Sequence, residues 1–120
     1  GAIAAQLGTA FLCCDEAGTT TAHKEYLLKH QGRGSVFTKG FSGRPARGIN
    51  NEFIQLMEGK TVLPFPIQNT LTASLRQLGV KINNGEYQSL WAGQDYAKSR
   101  QLSAKSLMLT LRQELIDAQT

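Results

Sequence analysis

The chain has 120 residues, of which 41% are hydrophobic and 18% charged, with a formal net charge of +4. That composition holds enough apolar material for one modest core and is too hydrophobic, and too weakly charged, for a disordered segment. No run of about eighteen apolar residues occurs, which excludes a transmembrane helix.

The isoelectric point of about 9.3 suits an anionic partner. Basicity this mild is nevertheless common among enzymes that bind small molecules, so neither nucleic acid nor membrane is expected as a partner. The opening Gly1–Cys14 is apolar but lacks the positive n-region of a signal peptide. It also enters mid-pattern without an initiator Met, which sets the expectation of a segment from a longer chain. Cys13 and Cys14 are adjacent, and neighbours along a chain bridge only through a strained ring. Free, buried thiols in a reducing compartment are expected, with the cytoplasm as the location.

In chain order, Ala2–Leu12 is small and apolar on both alternations, the pattern of a strand covered on both faces in a parallel sheet. Gly8 and Thr9 interrupt it where such a strand ends. Thr20 or Thr21 then caps a helix running to His30, with Ala22, Tyr26 and Leu27 on one face. The stretch Gln31–Gly48 is rich in Gly and Arg, with Val36 and Phe37 as a short extended piece. No acid stands between Glu25 and Glu52, whereas Lys29, Arg33, Lys39, Arg44 and Arg47 all do.

Asn50–Glu58 predicts a helix with Phe53, Ile54 and Met57 on an apolar stripe. Thr61–Pro66 carries two prolines and reads as an extended connector. Gln68–Leu78 is helical, with Leu71, Leu75 and Leu78 at helical spacing and Gly79 after them. Asn83–Leu90 is a short helix or turn leading into Trp91-Ala92-Gly93-Gln94. Ser103 caps a last helix to Ala118, with Leu107, Leu111 and Leu115 inward. A lone strand among four or five helices would leave its backbone groups without partners, so either this segment is not a strand or its neighbours lie in sequence outside these residues, and the missing Met fits the second.

Gln6-Leu7-Gly8-Thr9 is the leading candidate site. A phosphate monoester needs backbone N–H donors at close approach, and Gly8 removes the Cβ that would obstruct it, while Thr9 adds a hydroxyl donor. The alternative is that Gly8 merely ends a strand. Arg44 and Arg47, separated by Pro45-Ala46, offer a second grip on phosphate, against a structural role for Arg47 as a cap or staple of the next helix. His23 and His30 share a helix face without a carboxylate at i+4 spacing, so they read as surface histidines and no metal site is expected. Trp91 reads as a packing anchor, and Gly93-Gln94 as a loop positioning one amide side chain.

Taken in order, GAIAAQLGTAFL, CCDEAG, a Lys-Tyr helix, FSGRPARGINNEF, a Pro-Ile-Gln-Asn segment and WAGQ resemble the C-terminal part of the nitronate monooxygenase family, formerly called 2-nitropropane dioxygenases. The likeness runs over essentially all 120 residues. It implies an α/β chain from an FMN-binding TIM (β/α)8 barrel, comprising the last barrel strand, a mostly helical subdomain and the final helix. On that likeness residues 1–14 are the last strand and phosphate turn, 15–79 the helical cover, and 80–120 the return to the barrel. The family's Q-x-G-T stretch matches Gln6, Leu7, Gly8 and Thr9 and implies that they cradle the FMN phosphate, in keeping with phosphate sites after barrel strands seven and eight. Gly93 and Gln94 are placed near the active site.

The implied chemistry is oxidation of a small alkyl nitronate by FMN and O₂ to a carbonyl compound and nitrite. The implied partner is the remainder of the barrel upstream of Gly1. The family's catalytic histidine also lies upstream, and neither His23 nor His30 matches it, so no catalytic residue is assigned in this segment. Flavin-dependent enoyl-acyl-carrier-protein reductases share the first and third of these elements and form the alternative enzyme class. A basic helical module binding a polyanion through Arg33–Arg47 is the non-enzymatic alternative.

Overall fold

Local chemistry sets most of the helices. In a computed structural model describing residues 1–120, the chain is α/β, with four α-helices and one antiparallel hairpin. Helix α1 (Thr21–Lys29) starts where the Thr20 hydroxyl accepts the N–H of His23 at 3.2 Å. Helix α2 (Glu52–Met57) starts at Asn51, whose side chain accepts the N–H of Ile54 at 3.1 Å. Helix α4 (Ala104–Ala118) starts at Ser103, whose Oγ accepts the N–H of Ser106. All three begin within two residues of the positions their sequences predict.

Helix α3 (Ile67–Lys81) runs past its predicted end, because Gly79 lies inside it rather than after it. A Cβ on Gly79 would stand 3.0 Å from the backbone of Tyr87, so this glycine lets the turn at Gly85–Tyr87 close against the helix. The predicted stripe Leu71, Leu75 and Leu78 faces out, while Gln68 and Thr72 are buried. The reason is visible in their partners. Gln68 Nε2 donates to the Gly40 carbonyl at 2.8 Å and Thr72 Oγ1 to the Phe41 carbonyl at 2.6 Å, so the loop beside α3 requires donors from it. The connector before α3, expected to be extended, carries no regular structure and ends in a turn at Phe65 and Pro66, whose peptide bond is cis.

Strands β1 (Ser35–Thr38) and β2 (Ala46–Ile49) pair in the register Ser35–Ile49 to Thr38–Ala46. β1 contains the predicted extended piece, whereas β2 lies in what the sequence reads as loop. Beyond β2, Ile49 donates to the Leu90 carbonyl at 2.9 Å and Ala92 to that of Arg47 at 3.1 Å, so residues 90–92 form a short third edge.

The predicted strand over Ala2–Leu12 is absent. Residues 1–8 carry no regular structure and are exposed, and Thr9–Phe11 is one 3₁₀ turn. A strand persists only where a neighbour satisfies its N–H and C=O groups, and no other segment of these 120 residues runs beside it. The core sits behind that turn. Cys13, Leu27, Ile49, Leu90, Ala92 and Tyr96 form one buried cluster, and Phe41, Phe53 and Ile54 a second. Phe41 stacks on Phe53 at 4.4 Å and meets Trp91 edge-on at 5.3 Å, so Trp91 is the packing anchor its sequence context predicts. Cys13 and Cys14 are free and buried, as expected.

In α4, Leu107 is buried and Leu111 half-buried, but Leu115 is 60% exposed, contrary to the inward stripe. Exposed apolar side chains are a general feature. The accessible surface of 7858 Å² exceeds the roughly 6,400 Å² usual for a self-contained chain of this mass. No helix is long and apolar enough to cross a membrane.

Candidate functional site

The 3₁₀ turn and the third edge meet at one place. The core cluster fixes Cys13 and Tyr96 behind it, and Lys24 Nζ on α1 donates to the Cys14 carbonyl at 2.9 Å. On the other side, β2 holds residues 90–92 so that Gly93 follows directly. Gly93 donates its N–H to Thr9 Oγ1 at 3.0 Å and accepts from Ser35 Oγ at 3.2 Å. A cleft of about 410 Å³ opens at this junction, within the range of small-ligand and cofactor pockets.

Gln6, Leu7, Gly8, Thr9 and Gly93 all line that cleft. Five of the six predicted site residues are therefore brought together, although residues 6–9 and 93 lie at opposite ends of the sequence. Gln94 is exposed and does not line it. Nothing in the sequence pointed to Ser99, Arg100 or Glu114, which also line the wall. Arg100 reaches from a loop to α4, where its two terminal nitrogens grip both carboxylate oxygens of Glu114, at 2.5 and 3.2 Å. No local spacing announces a pair of that kind.

The donor chemistry of this cleft suits an anion. The N–H groups of Gly8, Thr9 and Ala10 donate to no atom of the chain, and the Thr9 hydroxyl accepts from Gly93 while keeping its own proton free. Arg100 keeps Nε–H and one proton on each terminal nitrogen beyond its bonds to Glu114. That guanidinium holds the Glu114 carboxyl below the usual carboxylate range. Ser99 Oγ is shielded from solvent beside the Cys13 thiol and does not open on the cleft. The acids Asp95 and Glu114 balance Lys98 and Arg100, so it is the open amides and the Thr9 hydroxyl that favour an anion.

Gly8 fits the same account. Its φ is −114°, which any residue adopts, and a Cβ there would meet nothing within 4 Å. Nothing inside the chain requires glycine at this position. A phosphate approaching the amides at close range would, and the residues present fit such a group.

The other candidates have structural partners. Arg47 Nη1 donates to Ser35 O and Oγ at 2.9 and 3.3 Å, and its guanidinium covers the Phe37 ring at 4.3 Å. Arg44 lies over Phe65 at 4.0 Å. The two arginines thus form no joint phosphate grip, and Arg47 braces the hairpin rather than the next helix. His23 and His30 are not surface histidines. His23 is half-buried, and its Nε2 bonds the Trp91 carbonyl at 3.0 Å, while burial lowers its pKa. The His30 ring packs on Tyr26 with centroids 4.3 Å apart, and its carbonyl accepts from the Tyr96 hydroxyl at 2.6 Å.

A family model described as nitronate monooxygenase matches residues 1–114. The chain is 39% identical over 117 residues to a probable nitronate monooxygenase of Bacillus subtilis (strain 168), covering 95% of this chain and 34% of that protein. It is 40% identical over 97 residues to a probable nitronate monooxygenase of Staphylococcus haemolyticus (strain JCSC1435), covering 78% and 27%. Among solved structures it superimposes on nitroalkane oxidase from Streptomyces ansochromogenes with a TM-score of 0.94 and 38% identity, over 99% of this chain and 34% of that one. The chain therefore spans about a third or less of the length of these relatives. Its sequence and its backbone agree on one origin: the chain belongs to the nitronate monooxygenase family.

Proposed function

We propose that this chain is the C-terminal part of an FMN-dependent enzyme that oxidises small alkyl nitronates with O₂ to a carbonyl compound and nitrite. The observation that carries this reading is the gathering of Gln6, Leu7, Gly8, Thr9 and Gly93 on one cleft with three open amide donors. In this reading the amides of Gly8, Thr9 and Ala10 and the hydroxyl of Thr9 hold the FMN phosphate, with Arg100 adding charge. When bound, the flavin supplies the electron chemistry with the nitronate and O₂. The chain's own residues bind and orient it, and no proton-transferring residue is assigned among them.

Residues 1–14 then form the last strand of a (β/α)8 barrel and its phosphate turn, 15–79 the cover, and 80–120 the return, with α4 as the final barrel helix. The unpaired backbone of residues 1–7 and the exposed Met108, Leu115 and Ile116 of α4 support that placement, since both are surfaces that a barrel would cover. The names of the relatives support the substrate class.

The test uses the full-length protein. It should be isolated with yellow, non-covalent FMN, and an aerobic alkyl nitronate should yield nitrite in step with O₂ consumption. Turnover of an enoyl thioester with no nitrite from nitronate would replace this assignment with the reductase, and a colourless protein that cannot be loaded with FMN would remove it.

A further inference from the structure

A second cleft, of about 240 Å³, lies between the start of α1 and the outer side of α3 and shares no lining residue with the first. Its only full charge is Arg76. Arg76 is half-buried, and its guanidinium is held entirely by neutral acceptors of its own helix. Nε donates to Thr72 Oγ1 at 3.2 Å, and Nη2 donates to Asn69 O at 2.7 Å and Asn69 Oδ1 at 3.0 Å. No carboxylate lies within ion-pair distance of it, and none lines the cleft. A guanidinium with no carboxylate partner keeps its charge available to an anion that enters the cleft.

The remaining polar groups sort into engaged and open ones. The Thr20 hydroxyl donates to Gln88 Oε1 at 2.7 Å, and Gln88 Nε2 donates to the Gly79 carbonyl at 3.1 Å, so both are engaged. His23 directs its Nε2–H at the Trp91 carbonyl, which fixes the ring by a neutral bond and adds no competing acid. Three groups stay open: Nη1 of Arg76, the side-chain amide of Gln77 and the hydroxyl of Ser89 have no partner in the chain and line the same cleft. The space is below the usual range for cofactor-sized ligands and suits a molecule of few heavy atoms.

We propose that this cleft is a binding site for a small oxyanion of carboxylate type, gripped through Arg76 Nη1 with Gln77 and Ser89 as neutral donors. A carboxylate oxygen can accept from the Nη1 protons, the only ones that the bonds to Thr72 and Asn69 leave free, and no group in the wall repels it. The site is independent of the flavin reading, because neither its residues nor its charge belong to the first cleft.

Acetate is the probe, titrated calorimetrically at constant ionic strength into the full-length protein as isolated. Saturable binding in the millimolar range is expected for a ligand this small. Arg76→Gln should weaken it at least tenfold. Ala73→Leu, which narrows the cleft and leaves the charge in place, should do the same and decides the matter if the arginine variant fails to fold. Arg112→Gln, on the exposed side of α4, serves as the control and should bind as wild type does. Absence of saturable binding overturns the proposal, as does binding that survives both cleft variants or falls equally in the control. Acetate binding that persists in Gly8→Val while FMN is lost would show the two sites to be separate, so failure of the flavin reading leaves this result standing.

Discussion

Thr9 Oγ1 accepts the N–H of Gly93 at 3.0 Å, a bond between residues 84 apart that fixes the two sides of the cleft at their point of contact. Thr9→Val keeps the side chain's shape and removes the acceptor. Denaturant unfolding of the full-length protein should register a loss of about 1 kcal/mol, the ordinary worth of one hydrogen bond. FMN retention should fall with it, since the hydroxyl proton facing the proposed phosphate is removed too. Thr9→Ser should restore both. A valine variant matching wild type in stability and in flavin content would show that the bond neither organises the cleft nor serves it.

Gly8→Val separates ligand binding from folding. The backbone at Gly8 accepts any residue, and a Cβ there meets no neighbour. The flavin-free protein should therefore keep its stability to within about 0.5 kcal/mol. FMN affinity should fall at least tenfold, measured by dialysis against free flavin, because the branched side chain occupies the phosphate's approach. Unchanged affinity would count against residues 6–9 as the phosphate turn.

The parts legible in the sequence are those that local chemistry decides. Thr20, Asn51 and Ser103 each present a side-chain oxygen to an N–H three residues on, and that information is contained in a few consecutive residues. Gly8 and Thr9, singled out for the backbone chemistry of a few consecutive residues, lie on the wall of the larger cleft. Pairings across the chain were not legible. β2 is Ala-Arg-Gly-Ile, poor in strand formers, and it becomes a strand because Ser35–Thr38 lies on one edge and Trp91 on the other. Arg100 with Glu114, and Arg47 with Ser35, are likewise unions that only the tertiary fold creates. Ala2–Leu12 is the opposite case. Its pattern is that of a buried strand, but the pattern cannot supply the neighbour that would complete the ladder.

Glu86 gathers three donors, the Tyr26 hydroxyl, Arg33 Nη1 and the Glu52 N–H, and so ties α1, the segment before β1 and the start of α2 together. Burial alone would raise its pKa, but these donors outweigh burial and hold it below the usual 4.5. A depressed carboxylate adds stability that is complete above 4.5 and disappears as pH falls through its folded-state value. Tyr26 is pushed up to about 12, by burial first and then by Glu86, so its contribution is complete below 10 and disappears as pH rises through about 12. Glu86→Gln should cost about 1–2 kcal/mol near neutral pH, moderated because Arg33 is partly exposed to solvent. The gap between variant and wild type in urea midpoint should close as pH drops below 4.5, and Tyr26 should titrate nearer 10 in the variant. A gap independent of pH would mean that the charge of Glu86 does not contribute.

His23 tests burial in the opposite sense. Burial lowers its pKa from the usual 6.5 despite the opposing bond to the Trp91 carbonyl, so the folded chain prefers the neutral ring. The stability this provides is present above 6.5 and is lost as pH falls through the lower folded-state value, where protonation favours unfolding. In His23→Gln the side-chain amide can still donate to the Trp91 carbonyl, and it does not titrate. Variant and wild type should lie within about 1 kcal/mol of each other near neutral pH, the size of one adjusted hydrogen bond. Between the usual histidine value and more acid pH the wild type should lose stability faster than the variant, since only the wild type takes up a proton on unfolding there. Parallel stability curves across that range would mean that His23 is as accessible to protons folded as unfolded, contrary to its half-buried position beside Trp91.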